Sequence, residues 1–200
     1  MTNTYNASKD SMVLKPNERI EDIVGNDRYL KLTGINLGTI TLVSTSADDD
    51  LYLKIQKRWI PDNKEEAYTW IGETMDKAFL HTIVGDRCPA LDIQRGFACA
   101  VDWAENITPR EPVSARVQEF TARRRFVVTD NGMMGIVPAG SLSGDSVFVL
   151  LGGSVLYVLR VTEEDRYMLI GEAYFHGMMD GESMDLCDEG EFKLETIVLE

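Results

Sequence analysis

Two hundred residues are enough for a single domain with a sizeable core, needing no disulfide or metal scaffold to fold. Twenty Lys and Arg against 33 Asp and Glu give a formal charge of −13. That balance argues against a nucleic-acid partner and against docking or insertion at anionic membranes. A hydrophobic fraction of 44% excludes low-complexity disorder.

In chain order, residues 1–14 are polar and are expected to form a flexible tail. They hold no apolar core of signal-peptide length. Residues 15–200 are expected to form one barrel-like domain. Arg28 to Leu32 alternates polar and apolar and is expected to end at Gly34; Ile35 to Ser44 continues as a β-rich run around Gly38. A helical insert then fills about residues 46–122. Asp48, Asp49 and Asp50 suit the positive end of a helix whose face carries Tyr52, Ile55 and Trp59. Pro61 ends it, and Asp62 with Glu65 forms a capping-box pattern for a second helix. Ala67, Trp70, Ile71, Met75, Ala78 and Phe79 recur at helical spacing, to about Val84. A third helical segment covers Pro89 to Ala104, and a fourth runs from Thr108-Pro109 to about Ala122.

After Arg125 the pattern becomes β. Asp130-Asn131-Gly132 between Phe126–Thr129 and Met133–Val137 is a strong hairpin signal. Gly152-Gly153-Ser154 separates Val147–Leu151 from Val155–Val161, and Glu163-Glu164-Asp165 precedes a strand over Tyr167 to His176. A last strand is expected within Phe192 to Leu199. The expected class is α+β, an antiparallel barrel-like sheet with a helical insert. The apolar stretch Val147 to Val161 is too short to span a bilayer. Cys88, Cys99 and Cys187 are odd in number and lack C-x-x-C spacing, which fits reduced thiols in a cytoplasmic protein.

The chain has only two histidines, His81 and His176. On a strand, Glu172, Tyr174 and His176 project to one face, with Asp180 and Glu182 following. Metal ligation, acid–base chemistry and a structural hydrogen-bond network are all open to this group; the network is favoured, and no metal or cofactor is expected. No G-x-S-x-G, P-loop, H-E-x-x-H or dinucleotide fingerprint appears. Ser141 and Ser143 have no His nearby in sequence to complete a triad. Arg123, Arg124 and Arg125 read as a solvated helix end, or as one guanidinium turned into a pocket. Trp59, Trp70 and Trp103 read as core or as cavity wall. Met133, Met134, Met168, Met178 and Met179 add adaptable apolar surface.

Several stretches in order carry a resemblance: Arg124 to Thr129, Asn131 to Pro138, Gly144-Asp145, Val149 to Gly153, Val155 to Arg160, and Gly171 to Glu182. Leu32 to Ile35, Thr39-Ile40 and Phe79 to Arg87 add earlier pieces. Together they resemble the region that follows the effector domain in fungal heterokaryon-incompatibility proteins. The resemblance implies a fungal β-barrel-like module with a helical insert. The effector domain of those proteins finds no room in 200 residues, so their incompatibility activity is not expected here and the module is expected to work alone.

An acidic exterior around Tyr, Trp, Met and branched aliphatics fits a container for an apolar small molecule. The expected function is a cofactor-independent cyclase, isomerase or pericyclase of fungal secondary metabolism, hetero-Diels–Alderase-like, on an apolar polycyclic substrate. Its expected donors are Tyr157, Tyr174, His176 and Arg125; its walls are Trp70, Trp103, Met133 and Met168. The alternative is a non-catalytic protein-interaction or regulatory module derived from incompatibility proteins. A homodimer is compatible with either.

Overall fold

The computed structural model describes residues 5–9, 11, 29–44, 62, 65–86, 117 and 119–200. The helices expected over 46–59 and 89–104, most of the fourth helix, and Trp59, Arg87, Cys88, Cys99 and Trp103 lie outside the described residues.

The described elements are strands β1 (Leu30–Val43), β2 (Ala67–Tyr68) and β3 (Glu73–Thr74), helix α1 (Met75–Val84), strands β4 (Arg124–Thr129), β5 (Met134–Pro138), β6 (Ser146–Leu150), β7 (Leu156–Val161) and β8 (Tyr167–Phe175), helix α2 (Glu182–Asp188) and strand β9 (Leu194–Leu199). One seven-stranded sheet runs β4-β5-β8-β7-β6-β1-β9, and β4 also pairs with β1. Six strands therefore close into an antiparallel, barrel-like ring, with β9 added along β1.

Why the ring is stable follows from alternation. In β6 all five residues are buried, because both faces are covered. Val147 and Val149 join the ring's interior with Ile35, Leu37, Val127, Leu156, Val158 and Phe175. Phe148 and Leu150 turn the other way, onto Leu159 and Ile197. The same alternation sends Phe126, Met134 and Ile136 outward against Phe79, Leu80 and Ile83 of α1. The ring is thus packed with side chains rather than hollow.

Four sequence expectations change. Gly34 does not end a strand: β1 runs through it, and a Cβ there would lie 2.4 Å from the Val149 carbonyl oxygen, so glycine permits the close approach. The second helix starts at Met75, not near Asp62. Residues 67–74 form a small hairpin instead, in which Gly72 takes φ +69° and its N–H donates to Tyr68 O. Trp70 is held in that turn by stacking on Phe192 (6.2 Å, 14°) and by donating Nε1–H to Asn131 O, tertiary contacts that outweigh the helical spacing. Helix α1 then ends at Gly85 in the left-handed conformation, its N–H donating to Thr82 O. Helix α2 occupies residues between the expected strands at Tyr167–His176 and Phe192–Leu199, where no helix is expected from the sequence.

The N-terminus is the fourth correction. Residues 5–9 and 11 are not a free tail: Ala7 is fully buried, the Asn6 N–H donates to Met179 O, and the Tyr5 hydroxyl donates to Gly85 O at 2.6 Å. Lys9 pairs with Asp185, and the Gly152 N–H donates to Ser11 Oγ. Among the described residues, no helix is long and apolar enough to cross a membrane.

Candidate functional site

Two neighbouring features share Tyr174. The first is a cleft of about 290 Å³ lined by Tyr5, Glu119, Phe120, Arg124, Val155, Glu172, Ala173, Tyr174 and Met179. Three aromatic rings form its walls: Tyr174 meets Tyr5 at 5.6 Å and Phe120 edge-on at 5.5 Å between ring centres. The Arg124 guanidinium lies 5.8 Å from the centre of the Phe120 ring, within cation–π range. The volume is at the lower end of ligand pockets, and the cleft joins an apolar body to three charged groups.

The second feature surrounds His176, at the end of β8. Its Nδ1 lies 3.2 Å from Tyr174 Oη and its Nε2 3.3 Å from Glu73 Oε2. Tyr68 stacks on the ring at 6.2 Å and 17°, donating its hydroxyl proton to His176 O while accepting from the Met134 N–H. His81, on α1, stands edge-on to His176 at 5.0 Å, and its Nδ1 is 3.6 Å from Glu73 Oε2 and 3.7 Å from Asp86 Oδ1. One ligand atom from each of Glu73, His81 and His176 falls within 4.8 Å of the others.

The electrostatics follow from burial. Burial pushes the Tyr174 phenol far above its ordinary range, with Asp86 adding to the effect, so the hydroxyl stays protonated. Burial also pushes Tyr68 up to about 12. His176 moves the other way: burial disfavours its cation and His81 adds to that, against the pull of Glu73.

The sequence-predicted residues divide accordingly. Tyr174 and His176 are brought together, as their spacing on one strand face predicts. Glu172 lines the cleft but joins neither histidine; Glu73 takes the place expected of Glu172 and Asp180. Arg125 is not among the cleft-lining residues. Adjacent strand residues face opposite ways, and Arg124 is the one that lines it; among the described residues, Arg125 Nε is buried with no hydrogen-bond partner. Tyr157 packs at the Phe148–Leu159 cluster, its pKa raised by burial and then by Glu172. Met133 is core, and Met168 is 46% exposed, so neither is a cleft wall. Trp70 packs beside the cleft-side core without lining the cleft, and Trp103 lies outside the described residues. Ser143 Oγ donates to the backbone of β1, whereas Ser141 is buried. Cys187 is half-buried and free.

Sequence reasoning missed Glu73, Glu119, Phe120 and Tyr5. For Phe120 the signal was present, an aromatic residue just before the arginine run; for Tyr5 and Glu73 nothing local marks the role.

Residues 113–194 match the Het-6 beta-barrel domain family. A stretch of 74 residues is 38% identical to heterokaryon incompatibility protein 6, OR allele, of Neurospora crassa, covering 36% of this chain and 11% of that protein. The strand-rich half of the chain therefore resembles fungal heterokaryon-incompatibility proteins, while the matched stretch is a small part of that relative's length. No solved structure matches the chain.

Proposed function

We propose that this protein binds a flat, largely apolar small molecule of fungal secondary metabolism in the Tyr5–Phe120–Tyr174 cleft and promotes its cyclisation, isomerisation or cycloaddition without a cofactor. The supporting observation is that the Arg124 guanidinium shares about 290 Å³ with three aromatic rings. Arginine keeps its charge at any physiological pH, so it is a permanent donor to a substrate carbonyl. A carbonyl held there becomes more electron-poor while the rings fix the reacting ends near each other, which is how shape-driven catalysis works. Glu119 and Glu172 accept from hydroxyl or ammonium groups at the rim.

The test is titration with 8-anilinonaphthalene-1-sulfonate, a flat aromatic anion whose emission rises in apolar sites. One saturable site is expected, weakened in Arg124→Met and lost in Val155→Trp, which fills the cleft. Binding indifferent to both changes would sink the cleft assignment. Disruption of the gene is expected to accumulate an uncyclised precursor.

A non-catalytic docking role is the second reading, supported by Met168 and Leu169. These consecutive residues of β8 are 46% and 49% exposed, two apolar side chains open to solvent. Sedimentation of the wild type against Met168→Glu tests it: self-association or partner capture abolished by the substitution favours docking.

A further inference from the structure

We propose that Glu73, His81 and His176 form a binding site for a zinc-type divalent transition-metal ion that clamps α1 to the end of β8. The proposal is independent of what the cleft binds. Both histidines of the chain converge on one carboxylate oxygen, Glu73 Oε2, at 3.6 Å from His81 Nδ1 and 3.3 Å from His176 Nε2.

These separations fit a bound ion better than they fit a close ion pair. A charge-assisted N–H···O bond is short, about 2.7–2.9 Å, and a contact near 3.6 Å is not a hydrogen bond. A tetrahedral ion with bonds of about 2.0–2.1 Å instead holds its ligand atoms roughly 3.3 Å apart. The Glu73–His176 pair already has that spacing. Because all three atoms fall within 4.8 Å, a small inward movement of His81 completes the face.

The donor chemistry names the ion. Two imidazoles and one carboxylate suit zinc and its neighbours, whereas magnesium and calcium take all-oxygen shells. Preorganisation points the same way. His176 cannot swing, since Tyr68 stacks on its ring and Tyr174 Oη occupies its Nδ1, which leaves Nε2 to face Glu73. With an ion on Nε2, the Nδ1 proton donates to Tyr174 Oη, the outer hydrogen bond that zinc-binding histidines ordinarily make. His81 and Glu73 are 21% and 30% exposed, so an ion can enter from solvent. Asp86 Oδ1 lies 3.7 Å from His81 Nδ1 but outside the three-residue group that falls within 4.8 Å, so the fourth position is left to water.

Full-length protein stripped with a chelator and titrated with Zn²⁺ by calorimetry tests the site, with Co²⁺ as a spectroscopic stand-in. One ion per chain is expected, with the visible band of tetrahedral Co²⁺ and a melting temperature that rises with Zn²⁺ concentration. Mg²⁺ is expected to do neither. His81→Asn and Glu73→Gln sit at the accessible side of the cluster, and circular dichroism checks that they remain folded. Each is expected to weaken Zn²⁺ by at least about tenfold and to remove the Co²⁺ band. The proposal is overturned by the absence of saturable Zn²⁺ binding, by equal stabilisation with Mg²⁺, or by folded variants that bind Zn²⁺ like the wild type.

Discussion

Arg160 grips Asp145 with both arms of its fork, Nε 2.7 Å from Oδ1 and Nη2 2.8 Å from Oδ2. Nη2 also donates to Gly140 O, and Asp145 Oδ2 accepts the Leu142 N–H, so the pair ties the β5–β6 loop to β7. The Asp145 side chain is 2% exposed, and it has no substitute cation among these contacts. Removing the guanidinium strands a buried carboxylate, which costs far more than losing a surface pair. Arg160→Met is expected to destabilise the fold by about 3 kcal/mol. The double variant Arg160→Met/Asp145→Leu is expected to recover part of that loss. Urea unfolding of the three proteins measures both effects, and a loss below about 1 kcal/mol for the single variant would contradict the buried pair.

Gly34 lets β1 lie against β6 and β9 at once. A Cβ there meets the Val149 carbonyl oxygen at 2.4 Å and Ile197 Cδ1 at 2.7 Å, and the first of these is backbone that cannot rotate away. Gly34→Ala is expected to cost about 2–3 kcal/mol, in the range of overpacked cores. An unchanged melting temperature would mean that the β1–β6 register is wrong.

Tyr5 joins the N-terminal segment to both the fold and the cleft. Tyr5→Phe keeps the ring, removes the hydroxyl that donates to Gly85 O, and is expected to cost about 1 kcal/mol while preserving probe binding. Tyr5→Ala also removes a wall, and weaker binding of the anilinonaphthalene probe is expected. Equal probe affinity in both variants would exclude Tyr5 as a wall.

Tyr157 supplies a pH dependence. Burial and the nearby Glu172 raise its folded pKa above the ordinary phenol value. Its neutral form is therefore favoured by folding. The contribution to stability is full below the unfolded pKa of about 10 and is lost as pH rises through the folded value. Tyr157→Phe is expected to flatten the alkaline fall in stability and to remove a late-titrating phenolate from the ultraviolet difference spectrum. A Tyr157 that titrates at the ordinary value would refute the assignment.

What the sequence alone determined is local or periodic. Asp130-Asn131-Gly132 encodes its hairpin within a few residues, the run Val147 to Leu151 marks a strand, and Tyr174 and His176 share a face because strand side chains alternate. The family resemblance is densest in that same strand-rich half. Only tertiary structure decided the rest. It chose Arg124 over Arg125 for the cleft, a difference of one residue in register. It turned Trp70 into a hairpin turn by giving it Phe192 and Asn131, and it brought Glu73 and His81 to His176 across a long span of chain. Contacts between residues distant in sequence leave no periodic trace, because the closure of the strand ring, and not any local preference, sets which of them meet.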